Sequence, residues 1–569
     1  MPARDSFLYK TERPWPNPRL KVAAIVGHTS ATSCRLWFRT AQLGEFVLLL
    51  YPWSNAEDDP DPVFAGLADV PFDLARLPAE VRQVPFRIAT WDDDSTTVLD
   101  LADLAPDTTY RYALFGAAAD GGRVILGHDR PLAFRTLPAA AAPIGFAFFS
   151  CHRPYRKGPA GNTEVVNVGM WDVLREALHR HRRRGLRFVL GIGDQVYVDT
   201  LETLDIWRFL DGVMRRERGR LLPDVPDMVN WYRDCYRGYW GFPAVRRVFA
   251  EFPTYMVWDD HEIADGWGSY EFRDGPRSEI LALLPDLYRK GLDFQDGLEL
   301  ARRMFAAARK AYVEYEHSHN PPTDPGVFDY SFEAACCRFY VLDGRGQRDL
   351  GARRNRILGE AQLARFKGWI ERLPADRRTY VFVVSAVPVL HLHPALASAD
   401  TRELVRRLKL ADDLRDAWEC ERHDAERRSL LKLLFRAAAA GHRVCILSGD
   451  VHVAAAYRLA DREGHAIHQL TSSAITYSQP RALGWILACG VAGDGEMDGY
   501  RYERLALYTD SNFAMLAVDP AADTVEFRLY VEQKVPRPDE VTLRGPRPRA
   551  RTPAEAQLSH SMVSIPLRS

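Results

Sequence analysis

The stretch Ile144-Gly145-Phe146-Ala147-Phe148-Phe149-Ser150-Cys151-His152 is a short apolar run that ends in a hydroxyl, a thiol and an imidazole. Bounded this way, an apolar run of this length reads as a buried strand. Residues 163–184 follow. There Met170, Val173, Leu174, Ala177 and Leu178 recur at i, i+3, i+4, i+7 and i+8, the spacing of one helix face. Arg182, Arg183 and Arg184 suit the negative end of a helix dipole, and Gly185 ends it. Residues 187–192 are the next apolar strand. Strand, helix and strand at this spacing form a βαβ unit, whose strands run parallel with a right-handed crossover. The fold class is therefore α/β.

Working outward, further strands are predicted at 254–258, 338–342, 380–386, 444–448 and 467–471. Helices are predicted at 228–251, 298–316, 360–373 and 425–440. The dense aromatic stretch 231–240 has helical spacing and reads as packing. This α/β region spans 144–535. Upstream, residues 20–138 are all β: alternation at 34–39 and 46–50 recurs between turns. Leu101, Leu104, Pro106 and Thr108-Thr109-Tyr110 form the entry to a late strand of an immunoglobulin- or fibronectin-like β-sandwich. Residues 138–143, alanines between two prolines, read as a linker. Residues 536–569, rich in Pro, Arg and Ser, read as a loosely held C-terminal tail.

Composition narrows the partners. The chain has 569 residues, with 75 Lys and Arg against 76 Asp and Glu, a net charge of −1. That balance gives no electrostatic case for nucleic acid or an anionic membrane. A hydrophobic share of 47% excludes wholesale disorder. The eight cysteines contain no C-x-x-C, so neither a zinc knuckle nor a disulfide framework is expected. No apolar run approaches the roughly 20 residues of a membrane span, and residues 1–18 lack the apolar run of a signal peptide. A cytoplasmic location is the expectation.

Four predicted strands finish in groups able to bind metal: Ser150-Cys151-His152, Gly193-Asp194-Gln195-Val196-Tyr197, Asp259-Asp260-His261-Glu262, and Ser448-Gly449-Asp450-Val451-His452. In open α/β sheets, ligands bind outside the carboxyl ends of strands. Alone, each group reads as a turn, a buried thiol, a cap or a core histidine. Together, at one sheet edge, they read as a metal centre. A carboxylate such as Asp194 can bridge two cations. A thiolate at Cys151 and a phenolate at Tyr197 suit a strongly acidic metal. Asp260 and Asp450 offer hard oxygens, and His452 an imidazole nitrogen.

At these residues the chain resembles the PhoD-type alkaline phosphatases, a branch of the calcineurin-like metallophosphoesterase superfamily, over about residues 20–535. The motifs Ser150-Cys151, Gly193-Asp194-x-x-Tyr197, Trp258-Asp259-Asp260-His261-Glu262, Leu342-Asp343-x-Arg345 and Ser448-Gly449-Asp450-x-His452 carry the likeness. It implies a β-sandwich followed by an αββα catalytic domain. It also implies a dinuclear or multinuclear metal centre holding Fe3+ with Ca2+, with Mn2+, Mg2+ or Zn2+ as other occupants. Asp194 would bridge, Cys151 and Tyr197 would favour iron, Asp260 and Asp450 calcium, and His452 would lie on the iron side. His261 would lie outside the ligand set and assist the departing oxygen, with Glu262 fixing its tautomer. Arg345 would clamp phosphate oxygens, unless it forms a structural ion pair with Asp343. Asp199 is a further carboxylate near the centre, and Asp416-Ala417-Trp418 lines the cleft. The superfamily's middle histidine has no clear match among Ser385, Pro388, His391 and His393. The implied activity is hydrolysis of small-molecule or polymeric phosphate esters, with metal-bound hydroxide attacking phosphorus in line. A phosphodiesterase or nuclease on the same centre, or a catalytically silent binding protein, are the alternatives.

Overall fold

A computed structural model describes residues 15–54, 61, 63, 74–116, 122–127, 132–139, 142–182, 185–199, 204–207, 209–210, 222–269, 294–348, 356–393, 396, 411–477, 490–532 and 560–566. The βαβ unit is present: Ile144–Phe149 and Leu186–Ile192 pair in parallel around the helix Gly169–Arg182. That helix starts later than residue 163. Thr163–Val165 instead pairs with Tyr155–Lys157 as a small hairpin. Its β-branched Thr163 and Val165 sit better on a pleated surface than in a helix.

The long helix expected over 228–251 is two helices, Val225–Tyr239 and Pro243–Glu251. Pro243 lacks an amide hydrogen and clashes with the preceding turn, so it opens a helix rather than continuing one. The aromatic stretch between is core: Trp231, Tyr232, Tyr236, Tyr239 and Trp240 are all buried. The helix Phe294–Tyr312 ends in a π-helical turn, Val313–His317. Gly359–Glu371 and Asp424–Ala439 lie where the periodicity put them.

Two sheets face each other in the α/β region. One orders Thr254–Val257, Leu186–Ile192, Ile144–Phe149, Asn512–Asp519, Thr524–Glu532 and His560–Pro566. Its first three strands are parallel and the rest antiparallel. The other has eight strands, with a parallel centre of Cys337–Val341, Tyr380–Ser385, Arg443–Ser448 and Ala466–Thr471. Phenylalanines fill the space between. Phe146 meets Phe188, Phe339 and Phe382 with ring centroids 5.1, 5.1 and 5.0 Å apart, within the range of favourable stacked and edge-to-face pairs. Helices Gly359–Glu371 and Asp424–Ala439 cover the outer face of the eight-stranded sheet through a second core. Gly169–Arg182 packs with the six-stranded sheet, which completes the αββα order.

The expectation of a loose tail is corrected at its end. His560–Pro566 pairs in full register with Thr524–Glu532 as an edge strand. Residues 533–559 and 567–569 lie outside the described residues. In His560–Pro566 the β-branched Val563 and Ile565 stand two apart, as strand alternation requires, a signal that the surrounding Pro and Arg outweighed.

The N-terminal region is β throughout. Ala23–Thr29, Cys34–Arg39 and Thr96–Leu101 form one antiparallel sheet, and Gly44–Trp53 and Thr109–Gly116 lead the other. Val26, Leu36, Phe38, Leu48, Leu50, Tyr112 and Leu114 form the core between them. Tyr110 turns its hydroxyl back to accept the Ala105 amide at 2.8 Å, the tyrosine corner that the Pro106 and Thr109-Tyr110 pattern announces. This region is joined to the α/β region by polar contacts. Trp37 Nε1 donates to Glu314 O at 2.7 Å, and Tyr112 OH to Ala250 O at 2.7 Å. Buried Asp94 accepts from Arg39 at 3.0 Å and from Arg237 at 2.8 Å. Among the described residues, no helix is long and apolar enough to cross a membrane.

Candidate metal centre

The carboxyl ends of both sheets meet at one edge, and the residues expected to bind metal are gathered there. Three of the strands end in tight reversals. Cys151, Asp194, Asp450 and His452 have φ of 55°, 57°, 65° and 57°, the left-handed region that costs a non-glycine residue about 1–2 kcal/mol each. Strain of this kind concentrates at sites where the direction of a side chain matters. Two glycines make the approach possible. A Cβ on Gly193 would lie 2.7 Å from Asp259 Cβ, and one on Gly449 would lie 2.4 Å from Ser150 Cβ.

One group of donors comprises Cys151, Asp194 and His452, whose ligand atoms all lie within 4.8 Å of one another. Cys151 Sγ is 3.3 Å from Asp194 Oδ2. Tyr197 OH is 3.0 Å from that same oxygen and 3.2 Å from His452 Nε2. A second group, Asp259, Asp260 and Asp450, meets the same 4.8 Å limit, as does a third of Asp194, Asp260 and His261. Asp194 therefore groups with Cys151 and His452 on one hand and with Asp260 and His261 on the other.

The donor set fits cations. Asp194 Oδ1, Asp259 Oδ2 and Asp260 Oδ1 are buried with no hydrogen-bond partner among the described residues, and Asp260 Oδ1 has a cation near it, Arg345 Nη2 at 3.7 Å. Buried carboxylate oxygens without partners are costly unless a charge meets them. Burial, opposed by His261 but reinforced by Asp260 and Asp259, pushes Asp194 well above the carboxylate range. Burial and then Asp259, Asp260 and Asp194 do the same to Asp450. Burial, against Arg345, pushes Asp259 up to about 7. Cations among these groups would remove that mutual repulsion. His452 is held neutral, far below its ordinary value, by burial and then by His261 and Arg153; neutral imidazole is the form that binds metal.

Three expectations are corrected by the geometry. Arg345 does not face the cleft. It is wholly buried, with Nη1 and Nη2 each 2.6 Å from an Asp416 oxygen, Nη1 also 2.8 Å from Trp267 O, and Nε on Asp259. It makes no ion pair with Asp343 either. Asp343 accepts from Trp258 Nε1 at 2.8 Å and from the Arg345 and Gly346 amides, shaping the turn after its strand. The Glu262 carboxylate makes no hydrogen bond to the His261 ring. It accepts the backbone amides of Asp194, Gln195, Val196 and Asp259, so it braces two metal-site turns at once. The group that bonds His261 is Asp199, 2.9 Å from Nδ1.

Other residues join the site beyond the ligands expected of it. Asp259 supplies an orphan oxygen beside Asp260. Ser473 Oγ lies 3.0 Å from Cys151 Sγ and accepts the His452 amide at 2.9 Å. Tyr477 lies flat on His452, centroids 3.7 Å apart at 12°. The signal for Ser473 was available: Ser472-Ser473 follows the strand Ala466–Thr471 as the other polar groups follow theirs. Ser385 is engaged with Val387 O and Trp418. His391 is held near its loop by Glu419, which accepts its amide, and burial lowers its imidazole to about 4.

Two facing mixed sheets between helices, with carboxylate, thiol, phenol and imidazole groups at their shared edge, place the protein in the αββα class with a site at the strand ends. The chain belongs to the PhoD-like phosphatase family, whose pattern matches residues 146–485. It is similar to the uncharacterized protein YGR266W of Saccharomyces cerevisiae, 23% identical over 348 residues, or 52% of this chain. The match spans 48% of the yeast protein, so the chain covers about half of that curated relative. Its fold is that of the solved structure of PhoD, with a TM-score of 0.55 at 15% identity, over 91% of this chain and 87% of that one. A purple acid phosphatase, PPD1 from yellow lupin (Lupinus luteus) seeds, aligns over 91% of this chain and 72% of its own, at 11% identity and a TM-score of 0.47.

Proposed function

We propose that the protein is a metal-dependent phosphoric-ester hydrolase whose centre holds Fe3+ and Ca2+. The observation that carries this reading is the sharing of Asp194 between two unlike donor groups. Cys151, Tyr197 and His452 stand on one side, and Asp260, which also groups with Asp259 and Asp450, on the other. Anionic sulfur and phenol oxygen suit a trivalent ion, and clustered carboxylates suit a hard divalent one. Cations there would supply Lewis-acid polarisation of the phosphoryl oxygens and a nucleophile from water at neutral pH.

The chain's own groups do the rest. Asp199 accepts the Nδ1 proton of His261 and so fixes the ring, which stacks on Tyr197 with centroids 4.0 Å apart. His261, oriented this way, delivers a proton or hydrogen bond to the leaving oxygen. Glu262 and Arg345 hold the turns and Asp259 in place from behind. The half-buried edge of the site at Asp450 and His452 admits the ester.

Elemental analysis of the wild type and of Cys151→Ala tests the reading, with hydrolysis of a nitrophenyl phosphate monoester and diester measured on both. About one iron per chain, lost in the variant together with activity, is the expected result. Two divalent ions unaffected by the substitution would refute the iron assignment. Absence of stoichiometric metal and of hydrolysis of either ester would refute the function. The ratio of monoester to diester turnover assigns the substrate class.

A further inference from the structure

With Arg345 locked inside the protein, an anionic substrate would face buried carboxylates and a thiol unless another cation of the chain meets it. Arg153 stands where such a group is needed. The Arg153 amide donates to Cys151 O at 3.1 Å, closing a tight turn at the left-handed Cys151. That turn sends the thiol inward and the guanidinium over the rings beside it. The Arg153 guanidinium carbon is 4.8 Å from the Tyr477 ring centre and 5.8 Å from that of Tyr197. Tyr477 in turn lies against His452, and Tyr197 against His261. The guanidinium thus sits one ring away from both imidazoles of the site. Arg153 is half-buried, whereas Arg345 is fully enclosed. Contact with aromatic rings engages the face of a guanidinium, and its planar fork of five N–H donors can hold a neighbouring group and an oxyanion at once.

We infer that Arg153 binds the phosphoryl oxygens of the substrate, and equally those of the phosphate product, with Tyr477 as the platform that holds it there. The identity of the substrate rests on the phosphoesterase reading above. The binding itself is testable without turnover, using inorganic phosphate as the probe.

Calorimetric titration of the metal-loaded protein with inorganic phosphate compares the wild type with Arg153→Met, Arg153→Lys and Tyr477→Leu. Metal content, thermal midpoint and, where there is turnover, KM and kcat are read alongside. Arg153→Met is expected to weaken phosphate binding about 10- to 100-fold, with metal content and thermal midpoint unchanged. KM rises by a similar factor. Arg153→Lys keeps the charge and stem but not the fork, and is expected to lose about ten-fold. It decides the matter should the methionine variant not fold. Tyr477→Leu is expected to fall between the two. Phosphate affinity within two-fold of wild type in either arginine variant would overturn the inference. So would loss of metal in Arg153→Met, which marks a structural role, or a wild type that binds no phosphate. A wild type that hydrolyses esters while Arg153→Met binds phosphate normally sinks this inference alone. One that binds phosphate through Arg153 but hydrolyses nothing sinks the hydrolase reading alone.

Discussion

Asp199 Oδ1 lies 2.9 Å from His261 Nδ1, and the carboxylate is 1% exposed. The adjacent Glu262, which sequence order offers as the partner, instead gathers backbone amides. A carboxylate bonded to one imidazole nitrogen fixes the tautomer and presents the other nitrogen for chemistry. Asp199→Asn is expected to lower kcat roughly 10- to 100-fold. The loss should grow as the leaving group becomes more basic, because only poor leaving groups need the proton. A uniform loss across a series of substituted phenyl phosphates, or loss of metal, would assign Asp199 another role.

Arg345 joins Asp259 to Asp416 in a space closed to solvent. Removing one member of a buried charge network leaves its partners unpaired, which costs about 3–5 kcal/mol. Arg345→Met is therefore expected to lower the urea midpoint sharply and to reduce metal content through Asp259. KM of the surviving active fraction should change little. A normal urea midpoint with a large rise in KM would restore the phosphate clamp.

Asp94, held on its own side by Arg39, ties the N-terminal sheets to the α/β region through Arg237 and Tyr315. Burial works against its charge, but Arg237 and then Arg39 override it and hold the carboxyl well below its ordinary value. Its stabilising contribution is present above the unfolded value near 3.8 and disappears only as pH falls through the lower folded value. Asp94→Asn is expected to cost about 3 kcal/mol at neutral pH, read as a lower unfolding midpoint. A change under about 0.5 kcal/mol would show that the latch does not matter.

Acid acts earlier on the histidines at that same junction. Burial, and then the charge of Arg35, lowers His28 and His317 to about 4. Burial, then His317 and Arg35, lowers His319 to about 3. The unfolded chain therefore binds more protons below pH 6.5, and stability falls from there down to about pH 4 for His28 and His317 and about pH 3 for His319. At pH 5 each such group costs about 2 kcal/mol relative to pH 7.5. Urea unfolding at the two pH values checks this, and His319→Gln should flatten the difference. An equal slope in the variant would exclude His319 as a source.

The strand ends were legible because they are local. An apolar run, then Gly-Asp or Ser-Cys, marks the point where a parallel strand leaves the core, and topology alone carries such points to one edge. Cys151, Asp194, Tyr197, Asp260, Asp450 and His452 could therefore be chosen by reading along the chain, and the structure gathers them. Helix and strand periods placed most elements within a few residues for the same reason. What depends on approach between distant segments was not legible. Whether a guanidinium at position 345 points to the cleft or to Asp416, 71 positions on, is decided by how two sheets and a loop close around it. Asp199 displaces Glu262 beside His261 because the turn after Leu186–Ile192 lies against that ring, although Glu262 is its neighbour in sequence. Tyr477 meets His452 only because Ala466–Thr471 pairs beside Arg443–Ser448. Local patterning decides which side chains reach the edge of the sheets, and packing between the sheets decides which of them are left with an unfilled charge.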